Sequence, residues 1–357
     1  MNLSLIIPTW NNSERLVRTL RALQNCTGPP NARWELILVD NNCTDETRRV
    51  AERMSALLPL VYVLEPRQGL SRARNAGLAA ASGELIAFLD DDMKACSEWL
   101  ATYWGAYREK PTGFYFGGPI IPEYESDMPG SELTRIAAFG SLVGLDFGSE
   151  ERALSWPEAL QSNWACPADP LRAVGGFDVR LGLDGSLKRQ RVGEEFDIMN
   201  RLNEAGLQPW YLPGARVRHF VPAKKCAYRH VAARAEAHGE YSVVAIADPD
   251  PSRYRYVRPF LKNGRSLKSW CGGPGITLAG VPWRVLVRAV ALWSRMHVAT
   301  VGGRTGYEER LSFRFCVGLM RGCRQLRREN AESNPALNQS AARLASVHAE
   351  QTRCPGP

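Results

Sequence analysis

Short apolar runs alternate with helix-period segments over the first ninety residues. Leu3–Ile7 is an apolar run stopped by Pro8, and Leu16, Val17, Leu20 and Leu23 then recur at helical spacing. Leu36–Val39 is a second run, ending in Asp40-Asn41-Asn42, and Asp45 stands where it would cap a helix running to about Leu57. Leu60–Leu64 is a third run. Ser71 opens a further helix to about Ala81, which Gly83 closes, and Leu85–Leu89 is a fourth run ending in Asp90-Asp91-Asp92. Runs separated by helices predict right-handed βαβ units and a mainly parallel sheet. In such sheets ligands bind beyond the carboxyl ends of the strands, where Pro8-Thr9, Asp40 and Asp90 lie.

The pattern loosens afterwards. Residues 119–160 carry Pro, Gly and acidic residues around an apolar patch at Phe139–Leu145, which predicts a long excursion with one or two helices. Structure resumes at Asn163 and continues to about His219, with a helix from Glu194 to Ala205 stopped by Gly206. Residues 246–275 are rich in Pro, Gly and Arg and read as a linker. Two helical segments follow, about 281–299 and 307–328, split by Gly302-Gly303 and Gly306, and a polar flexible tail closes the chain over 331–357.

Composition adds an asymmetry. The 357 residues carry a net charge of +8, but residues 1–250 sum to −5 and residues 251–357 to +13. The basic C-terminal region is therefore expected to meet something anionic. Hydrophobic content of 45% and charged content of 23% are those of a globular chain, which excludes a disordered or fibrous body. Nine cysteines without a CxxC pair argue against a disulfide framework or a zinc cluster, and the expected location is the cytoplasm. The first residues lack the basic start and long apolar stretch of a signal peptide, and no 18-residue uncharged apolar run occurs.

Three clusters carry chemistry. Adjacent carboxylates at Asp90-Asp91-Asp92 repel one another; at a strand's carboxyl end they suit a hard divalent cation bridging to substrate phosphates, although a solvated acidic turn has the same composition. Asp40 ends its strand where a carboxylate can accept from a base or a ribose hydroxyl, while capping of the next helix is the plainer role. A GxGxxG loop does not follow the first run, which disfavours a dinucleotide-binding domain. The segment Gly69-Leu-Ser-Arg-Ala-Arg-Asn-Ala-Gly77 places Arg72 and Arg74 at a helix N-terminus, an anion site or a solvated basic face.

Together the chain resembles the family 2 glycosyltransferases of GT-A fold. The resemblance rests on IIPTWNN (6–12), LVDNNCTD (38–45), GLSRARNAG (69–77), FLDDDM (88–93), NWACPADPLRAVGGFD (163–178), GEEFDIMNRLNEAG (193–206) and YLPGARVRHF (211–220). It implies an α/β fold of the nucleotide-diphospho-sugar transferase type. The expected units are a GT-A domain over 1–245, with a nucleotide-sugar-binding half at 1–118 and an acceptor and catalytic half at 119–245. The linker at 246–275 and a C-terminal helical extension, a basic amphipathic hairpin at 276–330, follow.

The resemblance also implies roles. Pro8, Thr9 and Asn11 would line the base pocket, Asp40 would hold the base, and Arg72 would lie near the nucleotide and phosphates. Asp90 and Asp92 would form the DxD pair on Mn²⁺ or Mg²⁺, Asp91 would lie beside the donor, and His219 would face metal and diphosphate. A general base is expected in Gly193-Glu194-Glu195, with Glu195 at the usual Asp position, Glu194 as the alternative and Asp197 in support. Asn163 and Gly175-Gly176-Phe177-Asp178 match a segment below the acceptor. The implied reaction is inverting transfer of a sugar from a nucleoside-diphosphate sugar, UDP being the family's common nucleotide, to a glycan or lipid-linked acceptor in polysaccharide or glycoconjugate synthesis.

Other classes are weighed against it. A nucleotidyltransferase would want a Gly-rich basic loop after the first strand, which PTWNN does not supply. A nucleotide-sugar sensor would need no base. A nucleic-acid-binding role could use Tyr254, Tyr256 and Trp270 among the arginines, but no nucleic acid is expected. In the C-terminal region Arg284, Arg288 and Arg295 fall within about 40° of one line on a helical projection, as do Arg310, Arg314, Arg321, Arg324 and Arg328. Such stripes beside apolar faces read as interfacial helices on an anionic membrane surface, with Trp283 and Trp293 as anchors, or as a hairpin packed on the domain.

Overall fold

The structure, a computed structural model, describes residues 1–125, 144–154, 162–187, 191–247, 277–278, 281–282, 285–287, 289–292 and 307–333. Its core is an eight-stranded sheet in the order β3-β2-β1-β4-β9-β6-β10-β8. β1 (Leu3–Thr9) and β2 (Trp34–Asp40) are buried almost throughout, as continuous apolar runs are when helices cover both faces. β1 pairs in parallel with β2, and with β4 (Leu85–Phe88) on its other side; β3 (Leu60–Leu64) forms the edge. α1 (Ser13–Gln24), α2 (Thr47–Met54) and α3 (Leu70–Ala80) make the crossovers. The register sets Thr9 opposite Asp40, so the polar ends of β1 and β2 lie side by side, one strand away from the aspartates after β4.

β9 (Trp164–Pro167) enters antiparallel between β4 and β6 (Phe114–Gly117), which β10 (Gln208–Tyr211) and β8 (Arg152–Ala153) extend. A second sheet joins β5 (Met93–Ala95), β11 (Val217–Val221) and β7 (Ile120–Tyr124). Because β5 follows the aspartates directly and His219 pairs with Met93, this small sheet fixes His219 beside the acidic turn. α4 (Trp99–Glu109), α5 (Ala168–Ala173) and α6 (Glu194–Glu204) complete the body.

The predicted α/β architecture is thus observed, with boundary shifts. α2 stops at Met54 rather than Leu57, and Asp45 does double duty: it accepts from the backbone N–H of Thr47 and from that of Ser13 at the start of α1. The expected excursion at 119–160 supplies β7, β8 and a bridge between Ile120 and Leu145; most of its apolar patch lies outside the described residues. So do residues 248–275 of the linker expected at 246–275 and the part beyond 333 of the tail expected at 331–357, whereas residues 246–247 and 331–333 are helical.

Beyond β11 come a short turn of helix, α7 (Ala223–Cys226), then α8 (Tyr228–Ala247) and α9 (Tyr307–Ser333). α8 and α9 touch backbone to backbone. A Cβ on Gly318 would stand 1.9 Å from the Glu236 carbonyl oxygen, and one on Gly239 would stand 2.1 Å from that of Phe315, so both positions need glycine for this approach. Leu311 packs with Val231 and Ala235, and further along both helices Leu319 meets Gly239, so the two run in the same direction. Arg314 and Arg321 of the arginine stripe both donate to Glu236. Ala289 and Leu292, in the helical residues before α9, pack on its Cys316.

Candidate active site

The loops beyond β1 and β2 are knitted together by their own polar groups. Asn11, in a left-handed conformation, accepts the Thr44 N–H on its Oδ1 at 2.7 Å. Asn41 donates to the Glu65 and Arg67 carbonyls and accepts the Gly69 N–H, which ties the β2 end to the start of α3. Asp40 is 3% exposed; one carboxylate oxygen accepts the Cys43 N–H and the other the Tyr62 hydroxyl, both at 2.7 Å. Pro8 is buried within β1. Arg72 is half-exposed on the first turn of α3, within the field of Glu65.

The three aspartates separate by partner. Asp91 accepts from the Thr9 hydroxyl at 2.6 Å and from Asn12 Nδ2 at 2.7 Å, while its carbonyl accepts the Thr19 hydroxyl. Its carboxylate therefore anchors the turn to β1 and α1. Burial, with Asp92 beside it, raises Asp91 to about 7. Asp92 Oδ2 stands 3.5 Å from His219 Nε2 and 3.0 Å from Lys225 Nζ. Burial would raise its pKa, but the His219 hydrogen bond and the Lys225 ammonium outweigh that and hold it well below the usual carboxylate range.

Asp90 faces the other way, toward Arg74. That guanidinium is 1% exposed, and its Nη2 lies 3.2 Å from Asp90 Oδ1 and 2.8 Å from Glu195 Oε1, while Nη1 lies 3.2 Å from Glu194 Oε1. It also lies over the Phe177 ring, 5.3 Å from its centroid. One buried cation thus joins the acidic turn to the first turn of α6. Burial pushes Glu195 up to about 8; Arg74 opposes this, and Glu194 and Asp90 add to it. α6 starts from Gly193 at φ 101°, where a Cβ would meet the Tyr241 ring at 2.3 Å, so α8 presses directly on the Gly-Glu-Glu turn. Arg234 of α8 lies in the field of the same two glutamates. Asp197 pairs with Arg201, one turn along α6.

The predicted residues therefore fall into two groups. Asp90, Glu194 and Glu195 meet on Arg74, and Asp92 meets His219 and Lys225. Asn163 is buried with four bonds: its Oδ1 accepts from Trp99 and Tyr103, and its Nδ2 donates to the Pro119 and Ala215 carbonyls, so it braces the second half of the sheet. Sequence reasoning paired Arg72 with Arg74 and chose Arg72 for the site. The signal for Arg74 was present: Ser71, Arg74 and Leu78 share the inward face of α3. Lys225 carries no comparable signal.

Asp92 Oδ2 and His219 Nε2 form an oxygen and nitrogen pair suited to Mn²⁺ or Mg²⁺. No group of three or more His, Cys, Asp or Glu converges for a metal among the described residues, so phosphate oxygens and water would complete the shell.

Comparison with known proteins gives a consistent picture. Residues 4–140 match the family described as Glycosyl transferase family 2. The glycosyltransferase AglE of Haloferax volcanii is 34% identical over 99 residues, covering 27% of this chain and 32% of that protein. The pre-mycofactocin glycosyltransferase of Mycobacterium tuberculosis is 28% identical over 280 residues, covering 75% of this chain and 52% of that one. The chain thus spans about a third to a half of the length of these relatives. In fold it is similar to the mannosyltransferase PcManGT of Pyrobaculum calidifontis, solved in complex with GDP-Man and Mn²⁺, with a TM-score of 0.56 at 17% identity, over 89% of this chain and 85% of that one.

Proposed function

We propose, from the premise that the chain belongs to glycosyl transferase family 2 through residues 4–140, that it is a metal-dependent inverting glycosyltransferase. The donor is a nucleoside-diphosphate sugar and the acceptor a hydroxyl of a glycan or lipid-linked saccharide. The observation that carries this reading is the Arg74 cluster, which brings Asp90 and the two glutamates of α6 into one buried group beside the Asp92–His219 pair.

Pro8, Thr9, Asn11, Asp40 and Arg72 surround the ends of β1 and β2, where the base and ribose would lie. A divalent cation held by Asp92 and His219, with Asp90 in reserve, would neutralise the diphosphate as it leaves. Glu195 takes the proton from the acceptor hydroxyl as that oxygen bonds to the anomeric carbon and the bond from that carbon to the diphosphate breaks. Arg74 keeps Glu195 oriented and Glu194 holds Arg74 from the other side. Its folded pKa near 8 makes Glu195 a stronger base than an ordinary carboxylate, matched to slightly alkaline operation.

The test is a thermal-shift panel of UDP, GDP and dTDP sugars with Mn²⁺, followed by measurement of nucleoside diphosphate release. A bound donor raises the melting temperature by mass action. No shift and no release with any donor would overturn the reading.

The exposed valines of the C-terminal region support a peripheral membrane location. Val285, Ala289 and Leu292 are buried, while Val287 and Val290 are 49% and 63% exposed, two apolar side chains turned outward. Among the described residues no helix is long and apolar enough to cross a membrane. Full-length chain should co-sediment with anionic liposomes, and a Val287→Asp, Val290→Asp variant should not; equal pelleting of the two would leave the region as ordinary packing.

A further inference from the structure

The turn after β11 is fixed around one carboxylate. The Phe220 N–H donates to the Asp92 carbonyl, the Ala223 N–H to Glu125 Oε2 at 2.8 Å, and the Lys225 N–H to the Pro222 carbonyl at 2.8 Å. The chain from His219 to Lys225 therefore wraps Asp92, and both side chains reach the same oxygen, Oδ2. That oxygen is the one a divalent cation would take. An ammonium at 3.0 Å and a divalent ion on the same oxygen repel each other, so a metal ion taking that oxygen weakens its hold on the lysine.

We propose that Lys225 is a phosphate-binding residue of the donor site, which rests on Asp92 until a divalent cation claims that carboxylate and then turns to the donor's diphosphate. The inference rests on the functional reading above. Charge supports it. A divalent ion on Asp92 with Lys225 alongside leaves the local site two charges positive, which matches the two charges of a nucleoside-diphosphate sugar. The side chain suits the change of partner: it is 25% exposed, and lysine is a point charge on a flexible four-carbon stem. Lys224, exposed next to it in α7, adds a second positive charge to the turn.

The experiment uses the full-length chain as wild type, Lys225→Ala, Lys225→Gln and Lys225→Arg, each checked for an unchanged circular dichroism spectrum. Mn²⁺ binding without nucleotide is read from the electron paramagnetic resonance signal of the free ion. Binding of UDP and GDP at saturating Mg²⁺ is read by calorimetry. Lys225→Ala and Lys225→Gln should bind Mn²⁺ roughly ten-fold more tightly, since the competing ammonium is gone, and the nucleoside diphosphate roughly ten-fold or more weakly, since a charge-assisted contact is lost. Lys225→Arg should keep nucleotide affinity near that of wild type. Unchanged nucleotide affinity in Lys225→Ala, or weaker Mn²⁺ binding in it, would overturn the role of Lys225. Failure of the wild type to bind either nucleotide would instead overturn the functional reading on which it rests.

Discussion

Replacing Arg74 by Met removes the cation that, among the described residues, the turn after β4 and the start of α6 share. The side chain is 1% exposed and lies within 3.2 Å of Asp90 and Glu194 and 2.8 Å of Glu195. Methionine fills much of the volume but leaves the carboxylates of Asp90 and Glu194 facing each other, and the Glu195 carboxyl, around an apolar stem. Removing one partner of a buried ion pair costs about 3–5 kcal/mol, because the remaining charge stays uncompensated. For a domain of this size each kcal/mol moves the melting temperature by roughly 2–4 °C, so a fall of about 6–20 °C is expected. The assay is thermal unfolding followed by circular dichroism at pH 7. Adding Glu194→Gln and Glu195→Gln to Arg74→Met should restore a large part of the loss, because the like charges are then gone. Arg74→Lys should fall between, a single ammonium being unable to fork between three acceptors. An Arg74→Met protein that melts within about 2 °C of wild type would show that the carboxylates do not depend on this cation, and the argument for a single cluster would fail.

Further outcomes follow from the same geometry. Glu195→Gln should lower kcat by roughly 10²–10⁴-fold with donor binding little changed, and if Glu194→Gln alone behaves so in steady-state assays, the base is Glu194. Asp92→Asn should abolish Mn²⁺- or Mg²⁺-dependent release of nucleoside diphosphate while leaving the fold intact; full wild-type activity in excess EDTA would contradict the metal's role. Glu195 has a folded pKa of about 8 against an ordinary unfolded one near 4.5, so the folded state holds more protons between these values. Its contribution to stability is complete below the unfolded value and is lost as pH rises through about 8, so melting temperatures measured from pH 5 to 9 should fall less steeply in Glu195→Gln than in wild type. Gly318→Ala would put a methyl 1.9 Å from the Glu236 carbonyl and force α8 and α9 apart, with a loss of about 1–3 kcal/mol in urea titration.

Legibility in the sequence followed the locality of the physics. The first half was readable because each strand is an unbroken apolar run and each helix keeps one buried stripe; Leu16, Leu20 and Leu23 of α1 are all buried as their spacing demands. Asp90 and Asp92 were readable from charge density alone. What periodicity could not show was the division of labour among three adjacent aspartates. Asp91 turns to Thr9 and Asn12, partners about eighty residues away in sequence. Arg74 joins segments 120 residues apart, so its importance appears only when α3 and α6 are brought together. β9 was hidden for another reason: it runs antiparallel within an otherwise βαβ pattern, and four residues carry little period. The C-terminal arginine stripe was legible as a stripe, but the Glu236 that pairs with Arg314 and Arg321 belongs to a different helix.

The parallel course of α8 and α9 sets a demand on the chain between them. A tight turn can join only helices that reverse direction, whereas the start of α9 lies back along α8, which is about 30 Å long for its 20 residues. Roughly nine extended residues would cover that distance. The sequence provides fifty-nine, from 248 to 306, and closure entropy grows only slowly with such surplus. Continuity of the tether therefore contributes little to the docking of α9, which the glycine contacts and Glu236 secure. A protease nick between 248 and 276 should leave α9 in place and α8 still pressed on the Gly-Glu-Glu turn. Deleting α9 itself would uncover the face of α8 that its glycine contacts cover, so a shortened protein is better made by trimming the tether than by stopping the chain at its start.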